Sequence, residues 1–171
     1  IAYGKAYTTG YTGAVRSYDA TTGQLAWIYD MGSAGFETPY GVWPTYNGFT
    51  IADNKIFVSN DEHSPDSVLW RGGKLYAINT DDGSLAWSIA GMMRNPAISD
   101  GILTALNSYD GQVYAFGKGP TQTVVTSPDT TIPLGTGVII KGSVTDQSPG
   151  QKGTPAVSGK SMSAWMEHLY M

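Results

Sequence analysis

Cysteine is absent from this sequence, histidine occurs twice, and charged side chains make up only 14% of it. Without cysteine there is no disulfide staple, no thiolate metal centre and no cysteine nucleophile. Ordinary globular chains are about 25% charged. Hydrophobic residues nevertheless reach 41%, so the composition is that of a folded chain rather than a disordered one. Ten basic residues face 14 acidic ones, giving a net charge of −4. A nucleic-acid module would carry a basic patch instead. No apolar run approaches the ~18 residues of a membrane-crossing helix. No secretory leader or initiator Met opens the chain, which starts Ile1-Ala2-Tyr3. That start is expected of an excised piece whose targeting or anchoring signals lie elsewhere.

What is abundant is glycine (22 residues), tyrosine (11) and an internal repeat. Tyr18-Asp19-Ala20-Thr21-Thr22-Gly23-Gln24-Leu25-Ala26-Trp27 aligns without a gap on Ile78-Asn79-Thr80-Asp81-Asp82-Gly83-Ser84-Leu85-Ala86-Trp87. A shorter element occurs three times: Gly13-Ala14-Val15-Arg16-Ser17-Tyr18, Gly73-Lys74-Leu75-Tyr76-Ala77-Ile78 and Gly111-Gln112-Val113-Tyr114-Ala115-Phe116. Before each copy stands a short segment rich in β-branched or aromatic residues: 4–9, 54–59 and 101–106. Asp53-Asn54, Asp82-Gly83, Asp100-Gly101 and Asp110-Gly111 punctuate them as tight turns. The unit therefore reads as a strand, a hairpin, a strand carrying Leu/Val-Tyr-Ala, a turn closed by glycine, and a strand ending in Trp. Glycine belongs in that turn because one residue there adopts a positive φ. A radially repeated unit of three or four strands in ~40 residues predicts an all-β fold, a partial β-propeller of about three blades. In it Gly23, Trp27, Gly83, Trp87, Tyr76 and Tyr114 are expected to dock blade on blade.

The Asp-Ala-Thr-Thr-Gly-Gln-Leu-Ala-Trp run and its partner ending Gly83–Trp87 resemble the tryptophan-docking repeats of quinoprotein-type propellers. Those repeats occur in pyrroloquinoline-quinone (PQQ) dehydrogenases and in cofactor-free relatives, among them outer-membrane assembly lipoproteins and secreted repeat proteins. The resemblance covers residues 1–119, with a third repeat that lacks the Thr-Gly-x-x-x-Trp ending. It implies a C-terminal set of blades, completed by other protein chains or by copies of this one, because propellers close with ~4–8 blades.

Beyond the blades, residues 120–134 are rich in Thr, Ser and Pro and read as an extended linker that enters a strand. Residues 135–171 read as the start of a second β domain: a strand over 138–146, similar to one of an immunoglobulin-like domain, then an amphipathic helix over 161–171. Ser161 is its expected cap. Met162, Trp165, Met166, Leu169 and Tyr170 fall on one apolar face, leaving Glu167 and His168 on the solvated side.

The middle unit carries an insertion, 59–72, where a repeat scaffold grafts function. Its candidate binding residues are Asp61, Glu62, His63, Asp66, Trp70 and Arg71. Asp61, Glu62 and Asp66 are oxygen donors of the kind that hold Ca²⁺, but their spacing lacks the calcium-loop pattern with its central glycine. The structural reading is a hydrogen-bonded loop. Trp70 and Arg71 side by side suit a sugar, a quinone or a peptide; structurally, Trp70 would cover a blade edge and Arg71 would pair with an acid. Asp19, Asp81 and Asp82 read as turn residues accepting backbone N–H bonds. Met92 and Met93 do not make a copper site. No serine–histidine–acid order, nucleophile elbow, phosphate loop or dinucleotide fingerprint is present, so no catalytic residue is nominated.

The expected function is that of a non-enzymatic, extracytoplasmic propeller scaffold for protein–protein contact or assembly. It would need neither PQQ nor Ca²⁺, bind no nucleic acid and span no membrane within this chain, any anchor lying in a longer parent. Two alternatives stand beside it. One is a fragment of a PQQ-dependent dehydrogenase, where the resemblance implies a vicinal cysteine pair against the quinone and acids holding Ca²⁺; the first is missing here. The other is a carbohydrate-binding surface module with Tyr and Trp as stacking platforms.

Overall fold

The computed structural model describes residues 1–63, 69–148 and 152–168. It divides into two compact units. One is 1–117 together with the C-terminal helix, and the other is 118–161.

The first unit holds three antiparallel blades. Blade 1 is β1 (Lys5–Thr8), β2 (Ala14–Asp19) and β3 (Leu25–Asp30). Blade 2 is β4 (Phe49–Ala52), β5 (Lys55–Ser59), β6 (Lys74–Asn79) and β7 (Leu85–Ala90). Blade 3 is β8 (Met93–Ser99), β9 (Ile102–Asn107) and β10 (Gln112–Gly117). Strand order within each blade follows the chain, as hairpins require. The repeat extends to irregularities: the β2–β3 register shifts between Ser17 and Tyr18, and the β6–β7 register at the matching Ala77 and Ile78. It also reaches the first residues. Ala2 bridges Lys5 as Ala52 pairs with Lys55. The intervening Tyr3-Gly4 and Asp53-Asn54 both have positive φ, the type I′ hairpin turn. Ile1-Ala2 thus stands where Ile51-Ala52, the last residues of β4, stand in blade 2.

Period-two alternation on β5 and β6 sends side chains to both faces of blade 2, and both faces are buried. Ile56, Val58, Tyr76 and Ile78 meet Tyr7, Val15, Trp27 and Met31 of blade 1. Phe57, Leu75, Ala77, Trp87 and Ile89 meet Met93, Leu103 and Ala105 of blade 3. The outer blades bury only one face: on β9, Leu103 and Ala105 are covered while Ile102 and Leu106 are exposed.

Several expectations change here. Trp27 and Trp87 lie third in their strands, not at the ends. Strands β4 and β8, invisible in the repeat, complete the inner edges of blades 2 and 3. Strand β8 contains Pro96, tolerated because the β8–β9 register breaks between Arg94 and Ala97; the Pro96 carbonyl accepts the Thr50 hydroxyl of β4 at 2.6 Å. The expected linker 120–134 contains a strand, β11 (Thr121–Thr126). It pairs in register with β12 (Lys141–Asp146), the later-starting form of the expected 138–146 strand. Alternating Thr and Val over 121–126 suits a ladder once a partner is in reach.

The helix, α1 (Met162–His168), follows a 3₁₀ turn at Gly159–Ser161. It belongs with the blades rather than with the second β unit. Met166 is buried in the cluster between blades 2 and 3, and Met162 and Trp165 pack against it. Leu169 and Tyr170 of the expected apolar face, and Met171, lie outside the described residues.

Candidate functional site

Two places gather the residues singled out above: the turn of blade 2 that meets Trp27, and the inserted loop between β5 and β6.

At the first, the Asn79–Ser84 turn is closed by the Gly83 N–H to the Asn79 carbonyl at 3.0 Å and the Asn79 N–H to the Ser84 carbonyl at 2.8 Å. Gly83 has φ +75°, where a Cβ is disfavoured. The Trp27 ring lies on it so closely that a Cβ at Gly83 would stand 2.7 Å from the ring. The indole N–H donates to the Thr80 carbonyl at 2.9 Å, in a buried setting. Tyr7 and Tyr76 back this contact, Tyr7 with its ring 5.9 Å from that of Trp27. Burial pushes the Tyr76 phenol up to about 12, because the phenolate would lose its hydration. Trp87 is placed differently: its ring lies 5.8 Å from Phe57 and 5.7 Å from Phe116. Tyr114 packs beside Phe116 and donates its hydroxyl to Asp110 Oδ2 at 2.8 Å. The turn aspartates behave as local acceptors. Asp19 takes the Thr21 and Thr22 N–H groups at 2.9 and 2.7 Å, and those bonds hold its carboxyl below the usual carboxylate range. Asp82 takes the Ser84 hydroxyl at 2.6 Å and N–H at 2.9 Å and is lowered likewise.

A family model described as "Outer membrane protein assembly factor BamB" matches residues 4–130. The chain belongs to the BamB family. It is a PQQ-like repeat β-propeller protein, and its three blades are part of such a propeller. No curated protein matches this BamB-family sequence. Among solved structures it is similar to a quinohemoprotein alcohol dehydrogenase of Pseudomonas putida, with TM-score 0.47 and 14% identity over 91% of this chain and 33% of that one. It is also similar to BamB of Moraxella catarrhalis, with TM-score 0.29 and 19% identity over 67% of this chain and 43% of that one. The chain thus spans a third to under half of the length of these proteins. Among the described residues, no helix is long and apolar enough to cross a membrane.

The inserted loop of this BamB-family chain begins as an extension of β5. The Asp61 N–H donates to the Pro44 carbonyl at 3.0 Å and the Tyr46 N–H to the Asp61 carbonyl at 3.1 Å, which stitches the loop to the segment before β4. The Asp61 side chain is 1% exposed. It accepts the Glu62 N–H at 2.7 Å and the Asn47 amide, and forms an ion pair with the Arg94 guanidinium at 3.4 Å. Glu62 is buried beside it, with Oε2 3.8 Å from His63 Nδ1. In the tautomer protonated at Nε2, His63 Nδ1 accepts the Tyr11 hydroxyl at 2.7 Å.

His63 also joins an aromatic group. Tyr11 lies 4.9 Å from Tyr40 and 5.5 Å from Tyr46, and Tyr46 lies 5.1 Å from His63. Tyr40, Tyr46 and His63 are exposed. Trp70 does not join Arg71 on a shared surface. It is buried under Tyr40, and its carbonyl accepts the Tyr109 hydroxyl. Arg71 forms a fork with Glu37, at 2.9 Å and 3.2 Å to Oε2, and also donates its backbone N–H to Oε1 at 2.6 Å. That pairing holds the Glu37 carboxyl below its usual range.

Asp66 lies outside the described residues. Among the described ones, no group of three or more His, Asp or Glu side chains could hold a metal ion. The Asp61 carboxylate faces a guanidinium, an amide and a backbone N–H. The partners that shape the loop, namely Tyr11, Glu37, Tyr40, Tyr46, Asn47 and Arg94, come from other segments, and local sequence gave no sign of them. The abundance of tyrosine was the only trace.

Proposed function

We propose that this chain is a non-enzymatic propeller scaffold that acts outside the cytoplasm and contacts other proteins through its inserted loop. The carrying observation is the surface made by Tyr40, Tyr46 and His63 over a loop whose buried Asp61 is engaged by Arg94, Asn47 and the Glu62 N–H. Exposed aromatic side chains on a rigid base are what protein interfaces use as anchors, whereas catalysis needs an acid, base or nucleophile left open to a substrate. The family description, an assembly factor, supports the reading. Low charge and abundant Tyr, Gly and Thr suit an extracytoplasmic setting. Neither PQQ nor Ca²⁺ has a place in this account.

Photo-crosslinking from position 46, with benzoyl-phenylalanine replacing Tyr46 in cells of the source organism, is expected to trap a discrete protein. Replacing Tyr40 with Ala should abolish the adduct. Purified chain mixed with PQQ, Ca²⁺, a primary alcohol and a dye acceptor should show no turnover. Turnover lost on Asp61→Asn would overturn the scaffold in favour of a dehydrogenase fragment. The exposed tyrosine rings also favour a second reading, a carbohydrate surface; binding to a glycan array that disappears in Tyr46→Ala, without any protein adduct, would select it.

A further inference from the structure

Four side chains beside the inserted loop form a chemical group of their own. Tyr11 lies between β1 and β2, Tyr40 and Tyr46 lie between β3 and β4, and His63 follows β5. The Tyr11 ring lies against both other phenols, its centroid 4.9 Å from that of Tyr40 and 5.5 Å from that of Tyr46. Its hydroxyl meets His63 Nδ1 at 2.7 Å. Close to that nitrogen stands the buried Glu62 carboxylate, 3.8 Å away. Tyr40 and Tyr46 are 40% and 48% exposed.

This arrangement suits one-electron oxidation of Tyr11. A phenol that loses an electron becomes a strong acid, so its proton has to leave with the electron. Desolvation, then the phenols of Tyr40 and Tyr46 and the Glu62 carboxylate, push the Tyr11 phenol up, so no phenolate stands ready. A neutral imidazole nitrogen at hydrogen-bond distance takes the proton without any movement of heavy atoms. The imidazolium so formed faces the Glu62 carboxylate, which favours it. Tyr11 is therefore the ring on which a radical settles, while the exposed Tyr40 and Tyr46 admit the oxidant.

We propose that Tyr11 and Tyr40 are an oxidative cross-linking site, joined ring to ring as a dityrosine by a haem peroxidase and hydrogen peroxide, with His63 accepting the Tyr11 proton. Each phenol gives up one electron and one proton. The two phenoxyl radicals join through ring carbons ortho to oxygen, forming a C–C bond. The hydrogens on those two carbons shift to the oxygens and restore both phenols. The chain loses two hydrogen atoms in all, and one hydrogen peroxide takes them up to leave as two waters. Tyr40 is the partner because its ring is the nearer to Tyr11. Tyr29 and Tyr76 also lie 6.0 Å apart, but Tyr76 is buried between blades 1 and 2, away from an oxidant. The link ties the β1–β2 turn to the segment before β4. A chain without cysteine gains in this way a covalent staple of another chemistry, which restricts the unfolded chain as a disulfide does. The inference goes beyond the scaffold reading and does not depend on it.

The test treats the full chain with a haem peroxidase and limiting hydrogen peroxide, at a protein concentration low enough to keep radicals on different molecules from meeting. The expected product is a monomer lighter by two hydrogen atoms that shows dityrosine fluorescence. Trypsin should release residues 6–16 joined to residues 17–55, and fragmentation should place the bond on Tyr11 and Tyr40. Tyr11→Phe and Tyr40→Phe should each abolish the link, and Tyr46→Phe should keep it. His63→Phe retains a ring and removes the proton acceptor, so it should slow the reaction several-fold. The linked monomer should unfold at a higher denaturant concentration than the unlinked one. An unchanged mass, a bond between other tyrosines, links between molecules only, or a yield that ignores Tyr40→Phe overturns the site. An unchanged rate in His63→Phe overturns the role of His63, and an unmoved midpoint overturns the staple. Should a variant not fold, the peptide map of the unaltered chain decides the pair. No partner protein enters this experiment, so its failure leaves the scaffold reading standing. Loss of the photo-crosslink from position 46 likewise leaves the dityrosine site standing.

Discussion

Trp27 and Gly83 act as one device: a flat ring, a turn stripped of its Cβ so that the ring can lie on it, and a carbonyl placed for the indole N–H. Trp27→Phe keeps most of the apolar area and loses the hydrogen bond, so a loss of ~1 kcal/mol is expected. Trp27→Ala should cost ~3–5 kcal/mol, as for a truncated buried aromatic. Gly83→Ala combines the positive-φ penalty with a 2.7 Å clash. Gly23→Ala in this chain carries only the φ penalty, ~1–2 kcal/mol. Denaturant midpoints should therefore rank Gly83→Ala well below Gly23→Ala; equal midpoints would show that the ring does not rest on Gly83. Tyr76 gives a pH signature. Its folded-state value of about 12 exceeds the ordinary phenol value of about 10, so the native state holds that proton more tightly. The resulting stabilisation is whole below pH ~10 and is lost as pH rises through 12, with a slope of up to ~1.4 kcal/mol per pH unit. Tyr76→Phe should flatten this part of the stability–pH curve, and an unchanged curve would assign the alkaline loss to Tyr7 and Tyr29, which burial also raises.

The strands were readable where the pattern is local and repeated, and hidden where it is not. β5 and β6 announce themselves by β-branched and aromatic residues between turn signals, and β2, β3 and β7 by the shared motif. β4 has four residues, and β8 is interrupted by Pro96, which argues for a break when only sequence is in view. The helix was visible through its apolar face, but its docking target was not. Seven residues are too few for a helix to persist alone, so α1 depends on the contact of Met166 with the Trp87 and Leu103 cluster. Met166→Ala is expected to destabilise the blade unit by ~2–5 kcal/mol and to speed hydrogen exchange of the α1 amides first. Unchanged α1 exchange would mean that Trp165 and Met162 hold the helix without it. The inserted loop was legible as an insertion only. Glu37 and Arg71 are a pair across distant segments, and neither neighbourhood names the other. Being exposed at Arg71, that pair is expected to add little to stability.

Over the whole molecule, burial runs inward. Blade 2 is covered on both faces, and blades 1 and 3 on one each. On the open face of blade 3, Val113 is 71% exposed and stands opposite Leu106 in register, with Ile102 49% exposed along the same face. Such a patch drives association, so the mean mass by light scattering is expected to climb above 18.2 kDa as concentration rises. Val113→Lys should suppress the rise, and a mass that never departs from the monomer value would show that this face is not adhesive. What the sequence determined by itself is the repeat and its turns, because these depend on residues a few positions apart and on backbone conformations open only to particular residue types. The tertiary structure alone decided which turn is occupied, where the helix lies, and which side chains surround Asp61 and His63. Those outcomes depend on which faces meet once the blades stack, and a contact between residues far apart in the chain leaves no periodic trace in either segment.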